Sequence, residues 1–342
     1  MNVWLNAALA GPAVLVTVAI AEGSVPREAG AHMLVTADAQ ADTIGGGHLE
    51  LCALEVARAM LRDAAASGSA TAAPAPQLQR YALGPTLGQC CGGVVYLTFE
   101  LVDAGLAQTL AVLRQDQRSD YWRLSALDGA ATSMLLDADG HLLNGVGDVR
   151  TLLPAFEYAR STQVLRDEAG RRWLADAVLA PRAHLLLFGA GHVGAAIVRL
   201  LGELPCTVSW IDEREDMFPA ELPANVRIEA SDVPEALVAS APAGASYLVL
   251  THSHALDQRL SEAIVARADV GWFGLIGSQT KRVQFERRMA ARGLPAERIA
   301  AMVCPIGLPG IRSKLPAVIA TSVCAQLLMV WEAQYATLAD SR

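Results

Sequence analysis

The sequence predicts an α/β protein of two domains, an N-terminal α+β domain over residues 1–182 and a doubly wound parallel-sheet domain over residues 183–342. Three observations carry that expectation. At 342 residues the chain exceeds the size at which a single core keeps growing, and its 53% hydrophobic residues are enough to fill two. From His184 onward, buried strand patterns alternate regularly with helical ones, as parallel strands joined by crossover helices require. Before residue 182 the strands come in runs with few helices between them, which is the α+β pattern.

Composition narrows the possible functions. The net charge is −8 with only 18% charged residues and no long basic run, so nucleic acid is excluded as the main partner; a small molecule or another protein is expected. Six cysteines (52, 90, 91, 206, 304 and 324) are scattered, mostly inside apolar segments, unlike a secreted disulfide framework. Reducing cytosol, and so a cytoplasmic location, is expected. Ala7 to Ala21 is almost entirely apolar, but Gly11-Pro12 interrupts it and no Lys or Arg precedes Arg27. It is read as neither a secretory signal nor a membrane span, with Pro12 to Ile20 a buried strand and no membrane partner.

In chain order, a short helix (Met1 to Leu9) and the strand from Ala13 to Ile20 lead into the polar, Gly- and Pro-bounded loop Glu22 to Gly30. A second strand, Ala31 to Thr36, precedes Thr43-Ile-Gly-Gly-Gly-His-Leu-Glu50, after which Leu49, Cys52, Ala53, Val56 and Met60 recur at helical spacing. Gly45, Gly46 and Gly47 therefore feed a helix N-terminus, where unpaired N–H groups and the helix dipole favour an anion, usually phosphate. His48, in the first turn, is a ligand, a donor or a structural residue. Residues 63–76, rich in Ala, Ser and Pro, are expected to form a flexible surface loop.

The stretch with the most chemistry is Leu83-Gly-Pro-Thr-Leu-Gly-Gln-Cys-Cys-Gly-Gly93. A packing cysteine sits inside an apolar run, whereas Cys90 and Cys91 have Gly88 before them and Gly92 and Gly93 after them. Glycines let the backbone approach a bound group closely, so the pair suits soft metal ligation, sulfur transfer or a redox couple. The alternative is two buried thiols at the mouth of the next strand. That strand, Val94 to Leu101, is followed by a helix (Ala104 to Arg114) and short strands through Trp122 to Leu136; a polar segment, Arg160 to Arg172, and Trp173 to Leu179 close the domain.

The second domain opens on His184-Leu-Leu-Leu-Phe-Gly-Ala-Gly-His-Val-Gly194: strand, Gly-x-Gly-x-x-Gly, helix. Gly189, Gly191 and Gly194 are followed by a strand, Thr207 to Ile211, that ends in Asp212, where a ribose-binding acid belongs. Together these define a Rossmann-type domain. Strands are expected at Val226 to Glu229, Ser246 to Leu250, Val270 to Ile276 and Ile299 to Val303. Ligands of such sheets bind outside the carboxyl ends of the strands, where Asp212, His252, His254, Lys281, Arg282 and Lys314 gather. The cations suit a phosphate-bearing ligand. His252, His254 and Asp257 also spell His-x-His-x-x-Asp, a near miss to metal-hydrolase spacings that offers no fourth ligand.

Gly45-Gly-Gly-His-Leu-Glu50, Leu87-Gly-Gln-Cys-Cys-Gly-Gly93, Phe188-Gly-Ala-Gly-His-Val-Gly194, Thr251-His-Ser-His-Ala-Leu-Asp257, Leu275-Ile-Gly-Ser-Gln-Thr-Lys-Arg282 and Cys304-Pro-Ile-Gly-Leu-Pro-Gly310, in this order, resemble the XdhC/CoxI family over nearly the whole chain. The resemblance implies binding of molybdenum cofactor (molybdopterin), its protection while a cysteine desulfurase supplies the terminal sulfur, and its insertion into apo xanthine dehydrogenase at the molybdenum-binding subunit. Relatives often carry Cys in place of His48 and a single Cys in place of Cys90-Cys91, so whether a thiol or an imidazole meets the metal stays open. The implied binding residues are Gly45, Gly46, Gly47, His48, Cys90, Cys91, Gly189, Gly191, Gly194, Asp212, His252, His254 and Lys281, with Cys90 and Cys91 toward the metal. A separate nucleotide in the Rossmann crevice is the alternative occupant.

The residues alone agree with a carrier. Helix N-termini are available for a phosphate and thiols for a soft metal, while no nucleophile, base and orienting group are spaced so as to declare catalysis. A cofactor chaperone is therefore expected over its rivals, an NAD(P)-dependent oxidoreductase and a metal-dependent hydrolase. The apolar content also points to a homo-oligomer.

Overall fold

The computed structural model describes residues 3–7, 11–67, 76–84, 92–116, 119–145 and 161–340. The chain divides into two compact units, Asn2–Ala180 and Pro181–Arg342.

The first unit runs α1 (Val3–Asn6), β1 (Val14–Glu22), β2 (His32–Val35), β3 (Gln40–Ala41), α2 (Gly47–Ser67), β4 (Gln77–Ala82), β5 (Val94–Leu101), α3 (Ala104–Gln115), β6 (Tyr121–Ala126), β7 (Ser133–Asp137), β8 (Leu142–Gly145), β9 (Gln163–Arg166) and β10 (Arg172–Val178). It holds two antiparallel five-stranded sheets, ordered β3-β2-β1-β5-β4 and β8-β7-β6-β10-β9. β1 is apolar along nearly its whole length because it is central and covered on both faces. Val14, Val16 and Val18 pack with Ala53, Ala57 and Met60 of α2, while Leu15 joins Leu106 and Leu110 of α3 and Leu135 of the second sheet.

Charge is buried in this unit. Arg123 on β6 is fully enclosed and donates to Glu100 on β5 (2.7 Å) and to Asp176 on β10 (2.9 and 3.0 Å). Asp176 also pairs with His32 on β2 (2.8 Å) and accepts from Thr162 (3.0 Å), and Trp4 stacks on the His32 ring at 4.2 Å. The His32 and Glu100 bonds tie one sheet to the other. Burial alone would raise the Asp176 pKa, but His32 and Arg123 outweigh it and hold the carboxyl below its usual range.

The second unit runs β11 (Ala183–Phe188), α4 (His192–Leu201), β12 (Cys206–Asp212), β13 (Val226–Ala230), α5 (Pro234–Ser240), β14 (Ser246–Val249), α6 (His254–Ala266), β15 (Trp272–Leu275), α7 (Gln279–Ala291), α8 (Ala296–Ala300) and α9 (Pro316–Asp340). Its sheet is parallel, ordered β13-β12-β11-β14-β15, so the strand order reverses between β11 and β14. One face is covered by α4 and α9 through Ile197, Leu201, Val323, Leu327 and Trp331; the other by α6 and α7 through Leu260, Ile264, Phe285 and Met289. α9 is long and apolar enough to cross a membrane by length and composition, and these core contacts account for the apolar character of one of its faces.

Two expectations need correction. Ile299 to Val303 is not a strand: Ala-Glu-Arg-Ile-Ala after Pro295 forms α8, and only Val303 reaches the sheet, as a single parallel bridge to Gly274. The start of the expected loop at residues 63–76 is helical, since α2 continues through the strong helix formers Ala64, Ala65 and Ala66 to Ser67; residues 68–75 lie outside the described residues.

Candidate functional site

In the first unit three loops meet at one edge. Gly93 donates to the Ser24 carbonyl at 3.0 Å, and a Cβ on it would come within 2.5 Å of the Glu22 and Ser24 carbonyl oxygens. On the other side of the same loop, a Cβ on Gly45 would come within 2.5 Å of the Pro26 ring. The loop from Glu22 to Arg27 is thus held between the glycine triplet and Gly93. Leu83 donates to the Gly93 carbonyl at 3.0 Å, so both stems of the cysteine segment are pinned there. Cys90 and Cys91 themselves lie outside the described residues.

The glycine triplet takes a left-handed path, with φ of 124°, 71° and 62° at Gly45, Gly46 and Gly47, which residues with a side chain disfavour. An anion does sit at this turn, but the chain supplies it. The Glu50 carboxylate accepts from the Gly46 N–H (3.1 Å), from Gln40 (2.8 Å) and from the Thr43 hydroxyl, whose oxygen in turn accepts from the Gly45 N–H (3.1 Å). The Gly45 and Gly46 N–H groups, where an external anion is expected from the sequence, are thus engaged within the chain. His48 is exposed in the first turn of α2.

Burial alone would raise the Glu50 pKa; hydrogen bonds from Thr43, Gln40, Gly46 and Ile44 outweigh it and set it below 4.5. A depressed carboxylate pKa adds stability above its unfolded value, and that stability is lost as pH falls through the lower, folded value. Thermal melting of Glu50→Gln should therefore trail the wild type at pH 7 and converge with it as pH falls below about 4.5. A gap unchanged at pH 3 would show that the carboxylate does not hold the loop.

In the second unit Gly189, Gly191 and Gly194 do different things. A Cβ on Gly189 would lie 2.3 Å from the Leu250 carbonyl oxygen, and one on Gly194 2.2 Å from the Gly189 carbonyl oxygen. Gly191, at the N-cap of α4 without a side-chain cap, would meet nothing within 4 Å. Two glycines close the turn and the third leaves room in front of unpaired helix N–H groups.

Beside this turn, at the reversal of strand order, lies a narrow crevice lined by Gly189, Asp212, Glu213, Thr251, His252 and Leu256, among others. Asp212 is engaged inside the protein: Oδ2 accepts from the Ala190 N–H (2.7 Å) and Arg214 Nη2 (3.0 Å), Oδ1 from the Arg214 N–H (3.0 Å) and Nε (2.9 Å). Burial would raise its pKa, but these bonds hold it below the usual range. His252 faces Glu213 at 3.3 Å across the crevice, and His254 is exposed in the first turn of α6.

Lys281 is engaged inside the protein. Its ammonium donates to Asp257 (2.6 Å) and the Ile276 carbonyl (2.8 Å) and lies over the Phe285 ring. Asp257 is further held by the Thr251 hydroxyl at 2.7 Å. His252 and Asp257 thus have separate partners, which argues against the hydrolase pattern; among the described residues the one close group of three metal-competent side chains is Asp137, Asp139 and His141. Burial pushes the Cys206 and Cys324 thiols up to about 12 and the Cys304 thiol above its usual value, and all three pack within the apolar clusters of the sheet faces. Arg214 and Glu50 carried no role in the sequence reading, although their positions, two residues after the ribose acid and one turn after the triple glycine, are visible there.

These features describe a two-domain chain that pairs a cysteine-bearing α+β unit with a Rossmann unit. The XdhC and CoxI family matches residues 7–71 and the XdhC Rossmann domain residues 185–327, and the chain belongs to this family. A solved structure from Bacillus halodurans, described as a xanthine dehydrogenase, is similar at a TM-score of 0.72 and 20% identity, over 96% of this chain and 94% of that one. The uncharacterized protein YqeB of Escherichia coli K12 is 29% identical over 150 residues, 44% of this chain. The matched region spans about a quarter of YqeB, 27% of its length.

Proposed function

We propose that the protein is a maturation factor for xanthine dehydrogenase: it binds molybdenum cofactor, protects it while a cysteine desulfurase supplies the terminal sulfur, and inserts it into the apo-enzyme in the cytoplasm. Family membership supports the coarse part of this reading. The observation that supports the finer part is that Leu83 and Gly93, on either side of the glycine-flanked Cys90-Cys91 segment in the chain, are bonded to each other, and Gly93 to the Glu22 to Arg27 loop. Thiolates suit a soft, sulfur-ligated metal. The cofactor also carries a phosphate, and the space before Gly191 fits such a group, from this cofactor or from a nucleotide.

Replacing Cys90 and Cys91 together with Ser keeps size and removes softness. After co-expression with molybdopterin synthesis, the wild type should retain pterin, read by fluorescence after oxidation, and the double variant about tenfold less, with unchanged circular dichroism. Equal pterin in both proteins would remove the thiols from the site.

A further inference from the structure

We infer that Arg214 is a specificity-determining residue of the crevice: by saturating Asp212, it shuts out ligands recognised through a ribose diol and leaves the crevice to ligands held by their phosphate. A carboxylate has about four lone-pair positions. Four donors reach Asp212, two on each oxygen: the N–H groups of Ala190 and Arg214, and Nε and Nη2 of the Arg214 guanidinium. No acceptor position remains for two ribose hydroxyls, although the residue stands where a dinucleotide-binding acid belongs. The donors are held in place, since the Arg214 side chain lies within two residues of its acceptor and binds it through a fork, with Nε and Nη2 on different oxygens.

Arg214 does not serve as a 2′-phosphate ligand instead. Its guanidinium is committed to Asp212, and the adjacent Glu213, itself facing His252 at 3.3 Å, adds a second acid where such a phosphate would sit. The opening before Gly191 is unaffected by the pair. What stays available is the phosphate-binding part of the fingerprint without its ribose-binding part.

This inference rests on the crevice being a ligand site, and the experiment separates the two. NADH and NADPH are titrated, by energy transfer from tryptophan, into wild type, Arg214→Ala, Arg214→Lys and the double variant Arg214→Ala/Asp212→Asn, and pterin retention of the wild type is measured in parallel. Arg214→Ala should bind NADH about tenfold more tightly than wild type, the factor one charge-assisted hydrogen bond supplies. Arg214→Lys, which keeps the charge without the fork, should fall between, and the double variant should lose the gain. Equal NADH affinity in wild type and both single variants, a gain that survives Asp212→Asn, or tighter NADPH than NADH binding by the wild type would each overturn the inference. Absent pterin together with the NADH gain would sink the cofactor reading and keep this one.

Discussion

Asp176→Ala is expected to destabilise the N-terminal unit by about 3–5 kcal/mol, a large fraction of the roughly 5–15 kcal/mol that ordinarily holds a domain folded. The cost comes from what the aspartate leaves behind. Arg123 is fully buried and loses its two bonds to Asp176, keeping Glu100 and Ser125, while His32 loses its carboxylate partner beneath Trp4. Two guanidinium N–H groups left buried without an acceptor cost more than the salt bridge itself contributes. Urea denaturation followed by circular dichroism would show the shift, and a loss below about 1 kcal/mol would mean that water reaches Arg123. Replacing Arg123, Asp176, Glu100 and His32 together with apolar residues should cost far less than the single change.

The second large effect concerns the glycine turn. Gly189→Ala places a Cβ 2.3 Å from a carbonyl oxygen at a φ of 122°, and Gly194→Ala places one 2.2 Å from another. Backbone strain of about 1–3 kcal/mol and overpacking of about 1–3 kcal/mol add at Gly189, so Gly189→Ala should lower the stability of the Rossmann unit by about 3 kcal/mol or more. Gly191→Val, by contrast, points into open space and should cost about 1 kcal/mol as a poorer N-cap, while excluding any phosphate from the turn by bulk. Denaturation followed by the fluorescence of Trp210, Trp272 and Trp331, with ligand binding measured alongside, separates these outcomes. Equal stability losses at Gly189 and Gly191 would contradict the division of roles.

What the sequence revealed follows from range. The Rossmann unit was legible because its signals are local: the glycine spacing, the terminal acid and the period of β11 and α4 all fall within about thirty residues. The expected strand at Ile299 to Val303 failed because its apolar residues also suit a helix, and Pro295 with the alanines decided for α8. The triple-glycine turn and the ribose-acid position were legible as places and illegible in occupancy. Whether Glu50 folds back onto Gly46, or Arg214 onto Asp212, depends on side-chain geometry that spacing does not fix. The charge network of the first unit could not be read at all, since His32 and Asp176 are 144 residues apart and meet only when the two sheets pack.

The most direct test of the central claim is transfer. Cofactor-loaded protein is mixed with apo xanthine dehydrogenase, and separately with NAD and candidate alcohols or hydroxy acids. The account predicts that xanthine oxidation appears in the dehydrogenase as pterin leaves the carrier, and that the isolated protein reduces no NAD. Hydride transfer by the isolated protein at enzymatic rates, with no activity restored to the apo-dehydrogenase, would contradict it.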